Sequence, residues 1–360
     1  MKKSWQIWLG VLALMIFIYA TRAILLPFIV GLGVAYLLDP LADRLEARKV
    51  PRWLAAASLL VLFFILASAV LVAIFPLLKT QMTAFIQNLP DYIAAARPLV
   101  DELWTQALAA LNLESSISSE SVIEEASRAA LAKVGTVLSG FLSGGMALFN
   151  FLTLLLISPV VAFFMLRDWD ILLAKVNALL PKKEAPAIRK IGNDIDAALG
   201  GFVRGQSLSA LVMATFYAIG WSLAGLEYAL VLGLIGGVMA YIPFVGALFT
   251  LVLALLVGVG QFGMDPGALG LIALVYVAVQ LLEGMVLTPR LIGSHVRLHP
   301  VWVLFAIFAG GEILGFVGVL IAIPVAAVVG VLVRFFVERY LKSHWHKGGR
   351  RKKRRRPRAR

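Results

Sequence analysis

Apolar residues fill most of this chain in long blocks, and polar residues collect in a few intervals between them. The blocks cover 5–21, 23–38, 54–78, 141–166, 205–225, 229–260, 267–288 and 300–338. A helix of ~20 apolar residues crosses the hydrocarbon core of a bilayer. The pattern therefore predicts an all-α polytopic membrane protein with about eight hydrophobic spans. Two blocks are too long for one upright helix, and both are broken by glycine and proline. Residues 229–260 contain Gly236-Gly237 and then Tyr241-Ile-Pro243-Phe-Val-Gly246. Residues 300–338 contain Gly310-Gly311-Glu312, Gly315-Phe-Val-Gly318 and Pro324. Each reads either as a re-entrant hairpin with a Gly/Pro tip or as a long helix kinked at Pro243 or Pro324. In the hairpin reading, 205–260 and 267–338 form an inverted repeat, each half a span followed by a broken segment. Paired broken segments in two halves mark the binding site of many secondary transporters.

The polar intervals set the orientation. Residues 39–53 carry Arg44, Arg48, Lys49 and Arg52, and residues 167–204 carry seven Lys or Arg. Residues 80–140 carry three basic and seven acidic side chains. Basic loops stay in the cytoplasm, so 80–140 lies outside and both termini lie inside. The expected organisation is N-terminal helices over 1–79 and an outer helical segment over 80–140, where Ser121-Val-Ile-Glu124 fits a capping box. A helix and cytoplasmic linker follow over 141–204, then a core over 205–340 and a tail over 341–360. Lys2 and Lys3 before an apolar run resemble a signal peptide, but no small-residue cleavage site follows, and a retained first helix is expected. Arg22 and Glu227 read as structural turn residues.

Composition agrees and narrows the chemistry. Mean hydropathy is +0.92; 61% of residues are hydrophobic and 15% charged. There is no cysteine, which excludes disulfides, thiolate metal sites and cysteine nucleophiles. The net charge of +13 belongs mostly to the last twenty residues, which hold eleven Lys or Arg. Such a block is self-repelling and is attracted to anionic lipid. With no aromatic interleaving or folded module behind it, no nucleic-acid partner is expected. No phosphate-binding G-x-x-x-x-G-K-[ST] loop occurs, and Gly31-Leu-Gly33 is no dinucleotide fingerprint, so no cofactor is expected. His295 and His299 are four apart, but no nearby acid or cysteine completes a metal site. H-E-x-x-H and G-x-S-x-G are also absent, so no enzyme is expected.

What remains is a scattered polar set in apolar surroundings. Glu283 and Gln280 are three apart, which puts them on one helix face. Arg204 and Gln206 open the 205–225 block, and Glu312 sits at a Gly-rich break. A carboxylate in hydrocarbon costs roughly 2.5–3.5 kcal/mol on insertion scales. Desolvation disfavours the charged form of any carboxyl group, so Glu283 is a candidate for substrate contact or proton coupling. The alternative is a helix-end residue in an ion pair or facing interfacial water.

The order and spacing of several motifs resemble the AI-2E family, the autoinducer-2 exporter-like membrane proteins of bacteria. The motifs are Ala35-Tyr-Leu-Leu-Asp-Pro-Leu41 with Pro27, Gly201-Phe-Val-Arg204-Gly-Gln206, Gly225-Leu-Glu-Tyr-Ala229 and Tyr241 to Gly246. They continue with Gln280-Leu-Leu-Glu283, Pro289-Arg-Leu-Ile-Gly293, Leu298-His299-Pro300, Gly310-Gly311, Gly315-Phe-Val-Gly318 and Pro324. The likeness covers nearly the whole chain. Two departures are the Arg-rich tail and Phe202, where the aromatic is often Tyr. The resemblance implies an inner-membrane exporter of small polar molecules. One branch of the family exports a furanone-type quorum signal, and others are described as cation/proton antiporters. It further implies two helical hairpins, elevator-like movement and a homo-oligomer, with a pentamer put forward.

The combined expectation is a secondary transporter, proton-coupled through Glu283. Gln280, Arg204, Gln206 and Glu312 are its other polar candidates. Gly236, Gly237, Tyr241, Pro243 and Gly246 are expected at one tip, and Gly310, Gly311, Gly315 and Gly318 at the other. Pro289, Gly293, His299 and Pro300 form a loop motif between them. A Na⁺/H⁺ antiporter and a non-transporting membrane scaffold are the rival readings.

Overall fold

The computed structural model describes residues 24–111, 145–182, 184–292 and 298–342, with a few single positions before these and at 125. Most of the first apolar run, Arg22, the 121–124 capping box, Gly293, His295 and the basic tail lie outside the described residues. The described residues are helical throughout, with no strand among them. In order they are α1 (Leu25–Glu46), α2 (Arg52–Leu111), α3 (Gly145–Leu179), α4 (Ala185–Leu223), α5 (Ala229–Met239), α6 (Val245–Phe262) and α7 (Pro266–Leu282). A π-helix (Glu283–Ile292) continues α7, and α8 (Pro300–Leu314) and α9 (Phe316–Lys342) follow.

Among the described residues, five helices are long and apolar enough to cross a membrane: Leu25–Glu46, Arg52–Ala110, Val245–Phe262, Pro266–Leu291 and Val317–Leu341. The chain is thus a multi-pass membrane protein. The two over-long apolar blocks are both broken. Residues 229–260 become α5 and α6 around the turn 240–244, and 300–338 become α8 and α9 around Gly315. Both pairs fold back antiparallel. Gly236 lies against Thr250 while Gly246 lies against Met239, and Gly310 and Gly318 approach backbone to backbone. At ~1.5 Å per residue, eleven residues of α5 and fifteen of α8 are each too short to cross ~30 Å of hydrocarbon alone.

Among the described residues, two apolar clusters hold α1 to α7 together. In the first, Ala35, Leu38 and Ala42 of α1 pack on Ala56 and Leu60 of α2 and on Ala162 and Leu166 of α3. Small residues allow the close crossing: a Cβ on Gly31 would lie 2.7 Å from the Ser158 carbonyl oxygen. The buried Ser158 hydroxyl donates to Pro27 O at 3.0 Å, a carbonyl at the start of α1. Arg52 locks the other end of α1, donating to Asp39 (2.7 Å), Glu46 (3.0 Å), Asp43 and Leu166 O (3.0 Å).

The second cluster gathers Phe85, Leu89 and Tyr92 of α2 with Met213, Tyr217, Trp221, Leu232, Ala254, Val257, Ile272 and Val279 of α4 to α7. α2 is therefore one unbroken helix of 60 residues, containing Pro76, Pro90 and Pro98, and it joins both clusters. The helix does not stop where the apolar block ends at residue 78 but runs on into the expected outer helical segment without a break. Beyond that point α2 docks on the turn before α5. Tyr92 donates to Glu227 at 2.9 Å, Asn88 donates to Tyr228 at 2.8 Å, and Gln261 braces the turn through Gly225 O and Glu227 N. Glu227 is structural, as its place in the turn suggested.

Candidate functional site

The site lies where α4 and α7 meet the tip between α5 and α6. On α4, Phe202, Gln206, Ser209, Met213, Tyr217 and Trp221 are all buried and fall three or four apart, which makes them one face of the helix. α5 crosses this region through small residues. A Cβ on Gly237 would lie 2.6 Å from Ala210 O, and one on Gly233 2.6 Å from Ala218 N. Glycine and alanine let helix backbones approach this closely in lipid. This corrects the expectation for Gly236 and Gly237. They sit within α5 at helix crossings rather than at the tip, and Gly236 faces Tyr217 and Thr250.

Tyr241, Pro243 and Gly246 do form the tip. Gly246 passes so near Met239 that a Cβ there would come within 1.8 Å of the Met239 carbonyl oxygen. Among the described residues, three side-chain bonds tie the tip to α4 and α7. Gln206 Nε2 donates to Ala240 O at 2.8 Å, and the Ser207 and Tyr241 hydroxyls share a bond of 2.9 Å. From the other side, Tyr276 of α7 donates to Ala247 O at 3.1 Å and accepts from Gln280 Nε2 at 3.1 Å.

Beneath the tip the polar groups are under-satisfied. Tyr217 is 1% exposed, and its ring stacks on Trp221 (4.6 Å, 15°) and lies nearly parallel to Tyr276 (6.2 Å, 14°). The Tyr217 hydroxyl, Gln280 Oε1 and Ser209 Oγ are buried with no hydrogen-bond partner. Each such group costs ~1–3 kcal/mol when left unpaired, so a polar ligand or water is favoured there. Glu283 is half-buried and stands three residues beyond Gln280 on the same helix face. Glu283 also opens the π-helix that runs to Ile292 with Pro289 inside it. Proline has no N–H to give to an α-helical ladder, and π-helical turns recur at functional sites.

Gln206 and Gln280 are thus tied to one tip, and Glu283 lies three residues beyond Gln280. Arg204 is not tied to it. Its guanidinium turns to α1 and donates to Tyr36 O at 3.3 Å, while Tyr36 donates to Asp196 at 3.1 Å, so Arg204 helps join α4 to the first cluster. Glu312 is exposed in the last turn of α8. Gly315 makes the second turn with φ +62°, and Gly310 and Gly318 permit the backbone approach beside it. Gly311 faces Val319. His299 caps α8 by accepting from Val301 N at 3.3 Å, and Pro300 is the first residue of that helix. Sequence reasoning missed Tyr217, Ser209 and Tyr276. A signal existed for the last: 276, 280 and 283 follow i, i+4, i+7 on one face.

Residues 8–338 match the model of AI-2E family transporters. YueF of Bacillus subtilis is 30% identical over 315 residues, covering 87% of this chain and 84% of its own. YrrI of the same organism is 28% identical over 322 residues, covering 88% and 87%. PerM of Escherichia coli is 25% identical over 320 residues, covering 88% of each. The first two are named as inferred transport proteins and the third as an inferred permease.

Proposed function

The chain belongs to the AI-2E family of transporters, and on that premise we propose a secondary transporter that exports a small polar molecule across the bacterial inner membrane. The observation that supports this reading is the group of unpaired polar atoms under the first tip. Tyr217 and Ser209 offer hydroxyls and Gln280 an amide oxygen, and the Glu283 carboxyl group follows Gln280 on the same helix face. A ligand carrying hydroxyl or amine donors would satisfy all three. Glu283 serves as the coupling group: as a carboxylate it accepts from the substrate, and once protonated it holds the substrate less strongly. Substrate and proton then compete for one position, which is what exchange requires.

Residues 205–338 move against α1, α2 and α3 to alternate access, with the two turns, 240–244 and Gly315, as gates. Both termini face the cytoplasm, the basic tail rests on anionic lipid, and the chain works as a homo-oligomer. The test is efflux of a panel of small polyols and a furanone-type signal from proteoliposomes, with and without an imposed pH gradient. The gradient should accelerate efflux by the wild type and leave Glu283→Gln unaffected. Equal acceleration of both proteins removes Glu283 from coupling, and no flux of any compound removes the export reading.

A further inference from the structure

The two sides of the first tip are held differently. Its α5 end is bonded to α4 alone, through Gln206 to Ala240 O and Ser207 to Tyr241. Its α6 end is bonded to α7, through Tyr276 to Ala247 O. The second bond leads on to an unpaired polar atom, because the Tyr276 hydroxyl also accepts from Gln280 Nε2. The other end of that Gln280 amide, Oε1, is buried and empty-handed.

Between the two anchors the backbone is strained. Phe244 has φ +65° and ψ −55°, and Val245 N donates to Pro243 O at 2.7 Å across it. This is the positive-φ γ-turn, a rare conformation that a bulky side chain resists. Residues held in such regions persist only where their surroundings over-determine them, and they cluster at switches. Nothing in the sequence demands a phenylalanine in that conformation, whereas glycine would adopt it freely.

We propose that Tyr276 is a positioning residue that latches a spring-loaded gate, pinning the α6 end of the tip against the strain at Phe244 until a ligand draws the Gln280 amide away. Gln280 then no longer fixes the Tyr276 hydroxyl on Ala247 O. The α6 end swings off α7 about the fixed Ala240–Tyr241 end, and the γ-turn relaxes. This mechanism rests on the transport reading for its ligand, but the latch and the spring are properties of the unliganded protein and can be measured without flux.

The native chain has no cysteine, so a single reporter thiol is unambiguous. Val279 is 4% exposed, and its place on α7 three residues from Tyr276 sets it on the same face, under the tip. Val279→Cys is introduced into the full chain, reconstituted in phosphatidylethanolamine/phosphatidylglycerol vesicles, and labelled with a small maleimide. Tyr276→Phe keeps the ring and removes the latch, and should speed labelling about fivefold, the weight of one ordinary hydrogen bond. Gln280→Leu should shift the rate in the same direction. Adding Phe244→Gly to Tyr276→Phe removes the strain and should return labelling towards the wild-type rate. A latch that is merely structural gives acceleration with Tyr276→Phe but no reversal by Phe244→Gly, and that result overturns the proposal. So does labelling that neither Tyr276→Phe nor Gln280→Leu changes. Flux that fails while labelling behaves as expected would instead count against the transport reading alone.

Discussion

Gly246→Ala tests the tip by adding one carbon atom. The new Cβ would stand 1.8 Å from the Met239 carbonyl oxygen and 2.6 Å from its carbonyl carbon. Both atoms are backbone, so no rotamer change relieves the clash, and the tip must open by roughly 1.5 Å, judged by ordinary contact distances between nonbonded atoms. That displacement strains the Gly246 N to Ile242 O bond, now 2.8 Å, and the Tyr276 to Ala247 O bond, now 3.1 Å. Overpacking costs ~1–3 kcal/mol, and a weakened hydrogen bond adds ~1 kcal/mol. Against this, alanine gains up to ~1 kcal/mol over glycine in a helix. The net expectation is a loss of about 1–3 kcal/mol. Gly270→Ala is the control. It sits inside α7, with nothing within 4 Å of its would-be Cβ, so only the helix gain remains. Thermal unfolding in detergent, followed by intrinsic tryptophan fluorescence, should show opposite shifts for the two variants. If Gly246→Ala melts at or above the wild-type temperature, the tip is not packed as tightly as the structure has it.

Further substitutions probe the joints around the site. Arg52→Met leaves Asp39, the least exposed of its three carboxylate partners, and Leu166 O without their donor. It should destabilise by ~2–4 kcal/mol, less than a fully buried pair because Asp43 and Glu46 remain largely hydrated; detergent melting reads it. Tyr92→Phe removes the bond to Glu227 and the longer one to Tyr228. It should cost ~1 kcal/mol and increase proteolytic nicking near 225–228. Arg204→Met should loosen the α1–α4 joint and lower the melting temperature while the response of efflux to a pH gradient persists. Loss of that response would return Arg204 to the transport site.

Much of the architecture was legible because lipid permits few solutions. Long apolar blocks had to be helices, and Tyr241-Ile-Pro243-Phe-Val-Gly246 and Gly315 had to interrupt them. The glycines were harder to assign. Gly236 and Gly246 look alike in sequence, yet one allows a helix crossing and the other a turn, and only the neighbours Thr250 and Met239 tell them apart. Arg204 was misplaced because its partner, Tyr36, lies 168 residues away, and proximity to Gln206 in the chain says nothing about which side of α4 it leaves. Tyr217 and Tyr276 were hidden by their own dual nature. An aromatic in an apolar stretch reads as core, and only their stacking and the fate of their hydroxyls show more. The continuity of α2 past Lys79-Thr80-Gln81 was hidden for a related reason. A change of solvent alters composition but does not end a helix.

That continuity makes α2 a ruler. From Arg52, fixed to α1 and α3, to Phe85, fixed to the second cluster, the helix runs ~50 Å at its usual rise. Residues 65–79 between these anchors are mostly exposed and none is buried. By ordinary reasoning an unpacked stretch tolerates almost anything. Here it tolerates other apolar letters but not new spacing. One inserted residue turns everything beyond it by ~100° and carries Phe85, Leu89 and Tyr92 off the helices they hold. Side chains that other apolar ones can replace therefore lie on a segment whose residue count cannot change.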